Sequence, residues 1–214
     1  TLVAEQKLSV SANDTQADTQ SDVPSNEARV LRRAHWGLLP SWSKDRSRAA
    51  SMINARSESI HEKPTFRNAF RATRCLIPAT GYYEWATALG KYSPKQPFYI
   101  SARDDKQLPI AGIWSSWRAP NGEVIETASI ITQEAQGELA TIHSRMPVML
   151  PEDRWDSWLD PTMRDSEAAL EMLRVDRPDY GLIAHPVSSR VNLVANNGAE
   201  LITPIDLGEP TTLF

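Results

Sequence analysis

The residue of this chain best suited to acid–base chemistry is a glutamate set between two large aromatic side chains. Glu84 lies between Tyr83 and Trp85, shortly after the turn signal Gly81. Aromatic neighbours exclude water from a carboxylate, and loss of water raises a carboxyl pKa towards the range useful to a general acid or base. Glu84 is therefore the best catalytic candidate, and a solvent-facing strand residue is the alternative. The second candidate, His143, follows a predicted short helix, although a lone histidine is more often structural.

An amide and a guanidinium group accompany this carboxylate within the segment 54–85. Asn54 and Arg56 are two residues apart, so in an extended segment their side chains lie on the same face. With Glu84 they indicate a polar site in an apolar surrounding.

Cys75 is the only cysteine, so an intramolecular disulfide is excluded. It begins an apolar segment, which predicts a buried, structural thiol. The alternative is a cysteine hydrolase that would combine Cys75 with His143 and Glu84. The preceding Arg74 is interpreted as a solvated charge at the edge of a strand. No spacing among the histidines resembles a metal site, so neither a metal nor another cofactor is predicted.

The net charge of −4 over 214 residues gives no global basic field, so any contact with DNA requires a local patch. The segment 41–51 holds Lys44, Arg46 and Arg48, and is interpreted either as a solvated loop or as a rim that follows phosphates. No apolar run reaches membrane-spanning length, and no signal peptide is recognisable. The single cysteine fits a cytoplasmic protein.

The elements that must position these residues are many short strands and a few helices. The segment 11–26 is polar and is predicted to be a mobile surface loop. A helix is predicted over 59–71, with Ile60, Phe66 and Phe70 as inward anchors and an interruption at Pro64. Further helices are predicted over 134–142, 151–159 and 165–174, and strands over 30–39, 52–56, 75–78, 82–86, 98–102, 109–117, 124–132 and 182–187. This order predicts one α+β domain over 1–214 rather than a parallel βαβ sheet.

Several motifs of the chain appear in the order typical of one protein family. They are 36–42 (WGLLPSW), 54–58 (NARSE), 81–85 (GYYEW), 95–99 (KQPFY), 142–147 (IHSRMP) and 185–188 (HPVS). The chain therefore resembles the SRAP family, the SOS response-associated peptidases that crosslink to abasic sites in single-stranded DNA. The resemblance implies a curved, mostly antiparallel barrel-like sheet with helices packed outside it.

The resemblance also implies roles for individual side chains. Glu84 matches the catalytic glutamate, which moves protons during ring-opening and crosslink release, and His143 matches the active-site histidine at the sugar. Asn54 matches an asparagine that hydrogen-bonds the nucleophile. Two residues depart from the family pattern, because Ser144 and Thr80 stand where aspartate is common. The implied DNA contacts are phosphate binding by Arg56 and Arg145 and base stacking by Trp42 and Trp85, with a structural ion pair for Arg145 and core packing for the tryptophans as alternatives.

Members of the family begin with a cysteine, exposed when the initiator Met is cleaved, whose amine and thiol capture the abasic aldehyde as a thiazolidine. The chain begins at Thr1 without a Cys-Gly-Arg opening, so we expect the family's N-terminal segment to be missing from it. The expected function is that of a DNA-repair protein that crosslinks to abasic sites in single-stranded DNA and removes its own initiator Met. A monomer associated with the nucleoid in the cytoplasm is expected. The alternative is a single-stranded DNA-binding module without chemistry.

Overall fold

The computed structural model of the protein describes residues 2–7, 29–87, 95–174 and 181–207. The predicted loop over 11–26 lies outside these residues. The described strands are β1 (Leu2–Lys7), β2 (Arg29–Trp36), β3 (Asn54–Arg56), β4 (Arg74–Ala79), β5 (Gly81–Trp85), β6 (Pro97–Ala102), β7 (Leu108–Arg118), β8 (Val124–Glu134), β9 (Arg145–Pro147) and β10 (Leu182–Pro186). The described α-helices are α1 (Arg67–Ala72), α2 (Trp155–Leu159) and α3 (Ser166–Leu173), and short 3₁₀ turns connect several elements.

The larger sheet has the strand order β2-β1-β4-β7-β8-β3, and β9 also pairs with β8. Strand β1 is antiparallel to β2 and to β4, and β7 is antiparallel to β8. A short parallel pairing of His35 with Thr127 and Trp36 with Ala128 joins β2 to β8. Each of the strands β2, β1, β4, β7 and β8 therefore has a neighbour on both sides. The predicted α+β class with a curved, mostly antiparallel, barrel-like sheet is confirmed.

The smaller sheet has three antiparallel strands in the order β10-β6-β5. One face of this sheet carries Tyr82, Phe98 and Ile100, which pack in a hydrophobic cluster with Leu139 and Ile142. The opposite face carries a row of aromatic rings, because Tyr99 is paired with Tyr83 on one side and with His185 on the other. This alternation decides which side chains of β5 lie next to the cluster.

Two compact units divide the chain, and each is assembled from separate segments. Unit 1 comprises Thr1–Pro78, Pro109–Ile131 and Leu150–Arg174, and unit 2 comprises Ala79–Leu108, Thr132–Met149 and Val175–Phe214. Most of the larger sheet lies in unit 1, whereas β9, the end of β8 that pairs with it and the smaller sheet lie in unit 2. The assignment of 1–214 to one domain stays a prediction.

The helix predicted over 59–71 is shorter than expected, because α1 begins only at Arg67. Pro64 lies in the run of turns before α1, because a residue without a backbone N–H cannot donate the hydrogen bond that a helix interior requires. The predicted anchors are nonetheless correct, since Ile60, Phe66 and Phe70 are all buried. The helix predicted over 134–142 is wrong, because β8 extends to Glu134 and only the 3₁₀ turn Gly137–Thr141 follows. No described helix is both long and apolar enough to cross a membrane.

The interpretation of Arg74 as a solvated charge at the edge of a strand is wrong, because its side chain is buried in unit 1. Its guanidinium donates to the backbone oxygens of Phe70, Arg71, Trp158, Asp160 and Met163 at 2.8–3.0 Å. Burial lowers the pKa of Arg74 to about 10, against the opposing attraction of Asp160. Arg74 therefore fastens the end of α1 to the segment that follows α2.

Cys75 is fully buried, as predicted, and its backbone oxygen accepts a hydrogen bond from Trp158 Nε1 at 2.9 Å. Burial raises the pKa of the Cys75 thiol far above its usual range, which disfavours the nucleophilic thiolate. Cys75 belongs to unit 1, whereas Glu84 and His143 belong to unit 2. The residues proposed for a cysteine hydrolase are therefore not assembled into one catalytic group within either unit.

Candidate active site

Strand β5 places Glu84 on the same face of the smaller sheet as Tyr82. In the register, Glu84 is opposite Phe98, and Tyr82 is opposite Ile100, both of which belong to the hydrophobic cluster of unit 2. The strand starts at Gly81, where a Cβ would collide with the ring of Tyr99 and with the backbone oxygen of Ile100. Glycine at 81 therefore permits the close pairing of β5 with β6 that fixes the position of Glu84.

Glu84 is a partly desolvated carboxylate, with 24% of its side chain exposed. Burial raises the pKa of Glu84, while the backbone N–H of Trp85, which donates to Glu84 Oε1 at 3.1 Å, and the nearby His143 act in the opposite direction. The direction predicted from the aromatic neighbours is correct. Its cause is broader than those neighbours, because the strand face that bears Glu84 adjoins the apolar cluster.

His143 follows the 3₁₀ turn Gly137–Thr141, whose buried Leu139 and the following Ile142 anchor this segment in the cluster of unit 2. The backbone N–H of His143 donates to the oxygen of Leu139 at 3.0 Å. Thr87, two residues beyond β5, donates its N–H to the oxygen of Ile142 at 2.9 Å. This hydrogen bond ties the histidine segment to the continuation of the strand that carries Glu84.

Glu84 and His143 meet with 3.8 Å between Glu84 Oε2 and His143 Nδ1, and 30% of the histidine side chain is exposed. This distance is an ion-pair separation and is too long for a hydrogen bond. Nδ1 instead accepts the backbone N–H of Arg145 at 3.0 Å. In the tautomer that accepts this hydrogen bond, the neutral ring carries its proton on Nε2. The backbone oxygen of Arg145 also lies 3.2 Å from Nδ1.

The main-chain contact to His143 is one part of the site that sequence reasoning missed. Ser144 stands where aspartate is common in the family, so residue 144 has no carboxylate that could orient the ring. In the structure the backbone of Arg145, held by the pairing of β9 with Thr132, Gln133 and Glu134 of β8, orients the ring instead. A backbone donor leaves no signature in residue type, so the sequence offered no signal for it.

Two predicted DNA contacts lie beside this pair in unit 2. Trp85 is 37% exposed, and its Nε1 donates to Asn192 Oδ1 at 2.7 Å, a partner that the sequence did not indicate. Arg145 is half-buried and donates from its guanidinium to the oxygen of Thr132 at 2.7 Å. This contact gives Arg145 a structural role, and its binding of phosphate stays a prediction.

The remaining predicted residues lie in unit 1. On β3, Asn54 and Arg56 are exposed on either side of the fully buried Ala55, so they share one face as predicted. Trp36, which was not singled out, is 51% exposed and donates from Nε1 to the oxygen of Ile53 at 2.8 Å, next to Asn54. Trp42 is 57% exposed and is therefore not a core residue.

The structure thus places Glu84, His143, Trp85 and Arg145 in unit 2 and Asn54, Arg56 and Trp42 in unit 1. Within the described residues, no group of three or more His, Cys, Asp or Glu side chains is arranged to hold a metal ion. The chemistry that this arrangement can provide is proton transfer by an adjacent carboxylate and imidazole.

A family model described as SOS response associated peptidase (SRAP) matches residues 3–194. The abasic site processing protein YoqW of Bacillus subtilis is 37% identical over 172 residues, which cover 80% of this chain and 75% of that protein. The abasic site processing protein HMCES of Gallus gallus is 33% identical, over 89% of this chain and 62% of that protein. A crystal structure of a Bacteroides thetaiotaomicron protein superposes with a TM-score of 0.71 at 28% identity, over 82% of this chain and 77% of that chain.

Proposed function

The chain belongs to the SOS response associated peptidase (SRAP) family, and on that premise we propose that it processes abasic sites in DNA. The relatives named above as abasic site processing proteins support this substrate class. The single observation that carries the proposal is the pairing of Glu84 with His143 at 3.8 Å in a partly desolvated position. We further propose that the DNA is single-stranded and that the product is a covalent crosslink.

Proton transfer at the sugar is the step assigned to Glu84. An abasic sugar must open from its ring form before its aldehyde can be attacked, and opening requires a proton at the ring oxygen. The raised pKa of Glu84 keeps a larger fraction of the carboxyl protonated near neutrality than in an ordinary glutamate. Glu84 would give that proton as general acid and recover one on the return path that releases the crosslink.

His143 would share this proton transfer through Nε2. Its Nδ1 is occupied by the backbone N–H of Arg145, so the ring is fixed in one orientation with Nε2–H as the neutral form. The Glu84 carboxylate lies 3.8 Å from Nδ1 of this ring. Glu84 and Nε2 of His143 would therefore act as two separate groups for proton transfer at the sugar.

The bond to the aldehyde would be made by a cysteine at the mature N-terminus, as the family resemblance implies. The amine and thiol add to the aldehyde carbon to give a thiazolidine, and the aldehyde oxygen leaves as water. Cys75 is unsuited to this role because it is buried and has no free α-amine. We also propose that removal of the initiator Met, which exposes the cysteine, is an activity of the same protein.

Each unit carries its own side chains for binding DNA. In unit 1 we assign Arg56 to a phosphate, Asn54 to the nucleophile, and the exposed ring of Trp42 to a base. In unit 2 we assign Trp85 to a base and Arg145 to a phosphate. Stacking on aromatic rings tolerates any base, so binding would show little sequence preference.

The first prediction concerns Glu84→Gln, in a chain extended so that a cysteine is its mature N-terminal residue. The amide keeps the size of the carboxyl but cannot transfer the proton, so crosslink formation should slow by about 10²–10⁴-fold. A time course of the protein with abasic single-stranded DNA on a denaturing gel measures this rate. The matched control is Glu138→Gln, an exposed glutamate on the turn before His143, which should react at the wild-type rate. Wild-type rates for Glu84→Gln would contradict the assignment.

The same variant should change the pH dependence of stability. The native pKa of Glu84 is raised above that of the unfolded chain, so its protonated form favours folding. That contribution is complete below the unfolded pKa, near pH 4.3, and is lost as the pH rises through the higher native value. Urea unfolding should therefore show wild type losing stability relative to Glu84→Gln as the pH rises above about 4.3, the pKa of an unfolded glutamate. A stability difference that does not change with pH above this value would show that the native pKa is not raised.

A DNA-binding module without chemistry is the second candidate function. The exposed Trp36, Trp42, Asn54 and Arg56 favour it, because they could hold a single strand without a reaction. The test uses the chain with a cysteine as its mature N-terminal residue. If this protein binds abasic and intact single strands with equal affinity and forms no covalent product, the second function is the correct one.

A further inference from the structure

Tyr82 has a buried hydroxyl group that has no part in the chemistry proposed above. Its ring packs against the hydrophobic cluster of unit 2, and its hydroxyl oxygen is shielded from solvent. Within the described part of the chain, this oxygen has no hydrogen-bond partner. A buried polar group without a partner destabilises the native state. A phenylalanine ring would pack in the same place without this loss, so packing alone does not account for the hydroxyl.

The side chain of Tyr82 lies on the face of the smaller sheet that carries the general acid. Tyr82 and Glu84 are two residues apart on β5, so their side chains lie on the same face. Burial raises the pKa of the Tyr82 hydroxyl above its usual range, and the negative charge of Glu84 acts in the same direction. The hydroxyl is therefore a neutral O–H donor at physiological pH, within electrostatic range of the carboxylate.

The Glu84 carboxylate has capacity for a further hydrogen-bond donor. His143 is the titratable group that the neighbouring elements place beside it, but the 3.8 Å between Oε2 and Nδ1 is too long for a hydrogen bond. Oε1 accepts one backbone N–H. On β9, Arg145 donates to a backbone oxygen of β8 at 2.7 Å, whereas Glu134 and Glu138 are exposed. A carboxylate has about four lone-pair positions, so Glu84 can accept another hydrogen bond.

We propose that Tyr82 is a positioning residue, whose hydroxyl donates a hydrogen bond to the Glu84 carboxylate once Glu84 has given its proton to the sugar. The terminal torsion of a glutamate is soft, so the carboxylate can turn towards the hydroxyl without a change in the backbone. Tyr82 keeps its own proton throughout. The hydrogen bond stabilises the charged form of Glu84 and so opposes the effect of burial on its pKa. This inference rests on the proposed function and adds a third side chain to the acid–base pair.

The first test measures the pKa of Glu84 in the protein without DNA. NMR of protein labelled at the side-chain carboxyl carbon of glutamate follows each carboxyl through a pH titration, and the signal that disappears in Glu84→Gln belongs to Glu84. Tyr82→Phe removes only the hydroxyl and should raise the pKa of Glu84 by about one pH unit, the effect of losing a hydrogen bond to a charged group. The matched control is Tyr83→Phe, which removes a hydroxyl from the opposite face of β5 and should leave this pKa unchanged.

The second test is the pH dependence of crosslinking, in the chain extended so that a cysteine is its mature N-terminal residue. The fall in rate as Glu84 loses its proton should occur about one pH unit higher in Tyr82→Phe than in wild type. Below this fall the variant should react up to about tenfold more slowly, because a weaker acid gives its proton less readily.

Urea unfolding at acid pH, where Glu84 is protonated in both proteins, checks that the variant is folded. Tyr82→Phe should be at least as stable as wild type there, because the hydroxyl that it loses has no partner within the described residues. An unchanged pKa of Glu84 in Tyr82→Phe, an equal change in Tyr83→Phe, or a rate profile that does not shift would overturn the inference. A raised pKa of Glu84 in a protein that forms no crosslink would instead overturn only the proposed chemistry.

Discussion

Replacing Arg74 with lysine should destabilise the protein more than any other change that conserves charge among the arginines described here. The guanidinium has five N–H donors, and it makes five hydrogen bonds to backbone oxygens at 2.8–3.0 Å. A lysine ammonium has three donors on a single atom, so at least two oxygens lose their partner. Only 3% of Arg74 is exposed, so water cannot replace the lost bonds without local opening.

The magnitude follows from those two bonds. A hydrogen bond to a charged group contributes about 1.5–3 kcal/mol. Arg74→Lys should therefore lower the free energy of unfolding by about 3–6 kcal/mol, a large fraction of the about 5–15 kcal/mol of a typical protein. The loss of a planar cation 5.6 Å from the ring centroid of Trp158 acts in the same direction.

Chemical denaturation at neutral pH, followed by circular dichroism, measures this difference. Arg67→Lys is the matched control, because Arg67 is an exposed arginine of α1, the helix whose end Arg74 contacts, and its replacement should change stability by less than about 0.5 kcal/mol. A loss below about 1 kcal/mol in Arg74→Lys would mean that the backbone oxygens find other donors, and would refute the argument.

Further changes test other contacts. Cys75→Ala should cost about 1–3 kcal/mol of stability through lost packing and leave DNA binding and crosslinking unchanged. Rapid labelling of native Cys75 by a thiol reagent would contradict its burial. Asn192→Leu removes the acceptor of the Trp85 indole N–H and should weaken single-strand binding several-fold in anisotropy measurements. The control is Asn197→Leu, which changes an exposed asparagine five residues further along the chain. Equal affinities of the two variants would show that Asn192 does not orient Trp85 for binding. Arg56→Ala should weaken single-strand binding by about 1.5–3 kcal/mol, with a shallower salt dependence, and an unchanged salt slope would argue against phosphate contact.

Local patterns predicted the parts of the fold that depend on neighbours along the chain. Asn54 and Arg56 share a face because strand side chains alternate, and Ala55 between them is buried. The anchors Phe66 and Phe70 were found from helical spacing, although the helix itself begins at Arg67. Each of these results follows from periodicity, which a single sequence displays directly.

The features that escaped prediction depend on partners distant in the chain. Arg74 looked like an edge charge because its acceptors include backbone oxygens at 158, 160 and 163. The orientation of His143 depends on a backbone N–H, and that of Trp85 on Asn192, 107 residues away. Backbone groups are the same in every residue type, so composition and spacing could not identify these contacts.

The interleaving of the two units has a consequence for synthesis on the ribosome. Strand β6 lies between β5, which carries Glu84, and β10, which is made only after α2 and α3. Because synthesis starts at the N-terminus, the growing chain contains Glu84 and His143 before the smaller sheet, which carries Glu84, can be completed. Pairing between segments so far apart also slows folding. Incomplete chains that end before Leu182 should lack the ordered acid–base pair, so a released fragment would not present it to DNA.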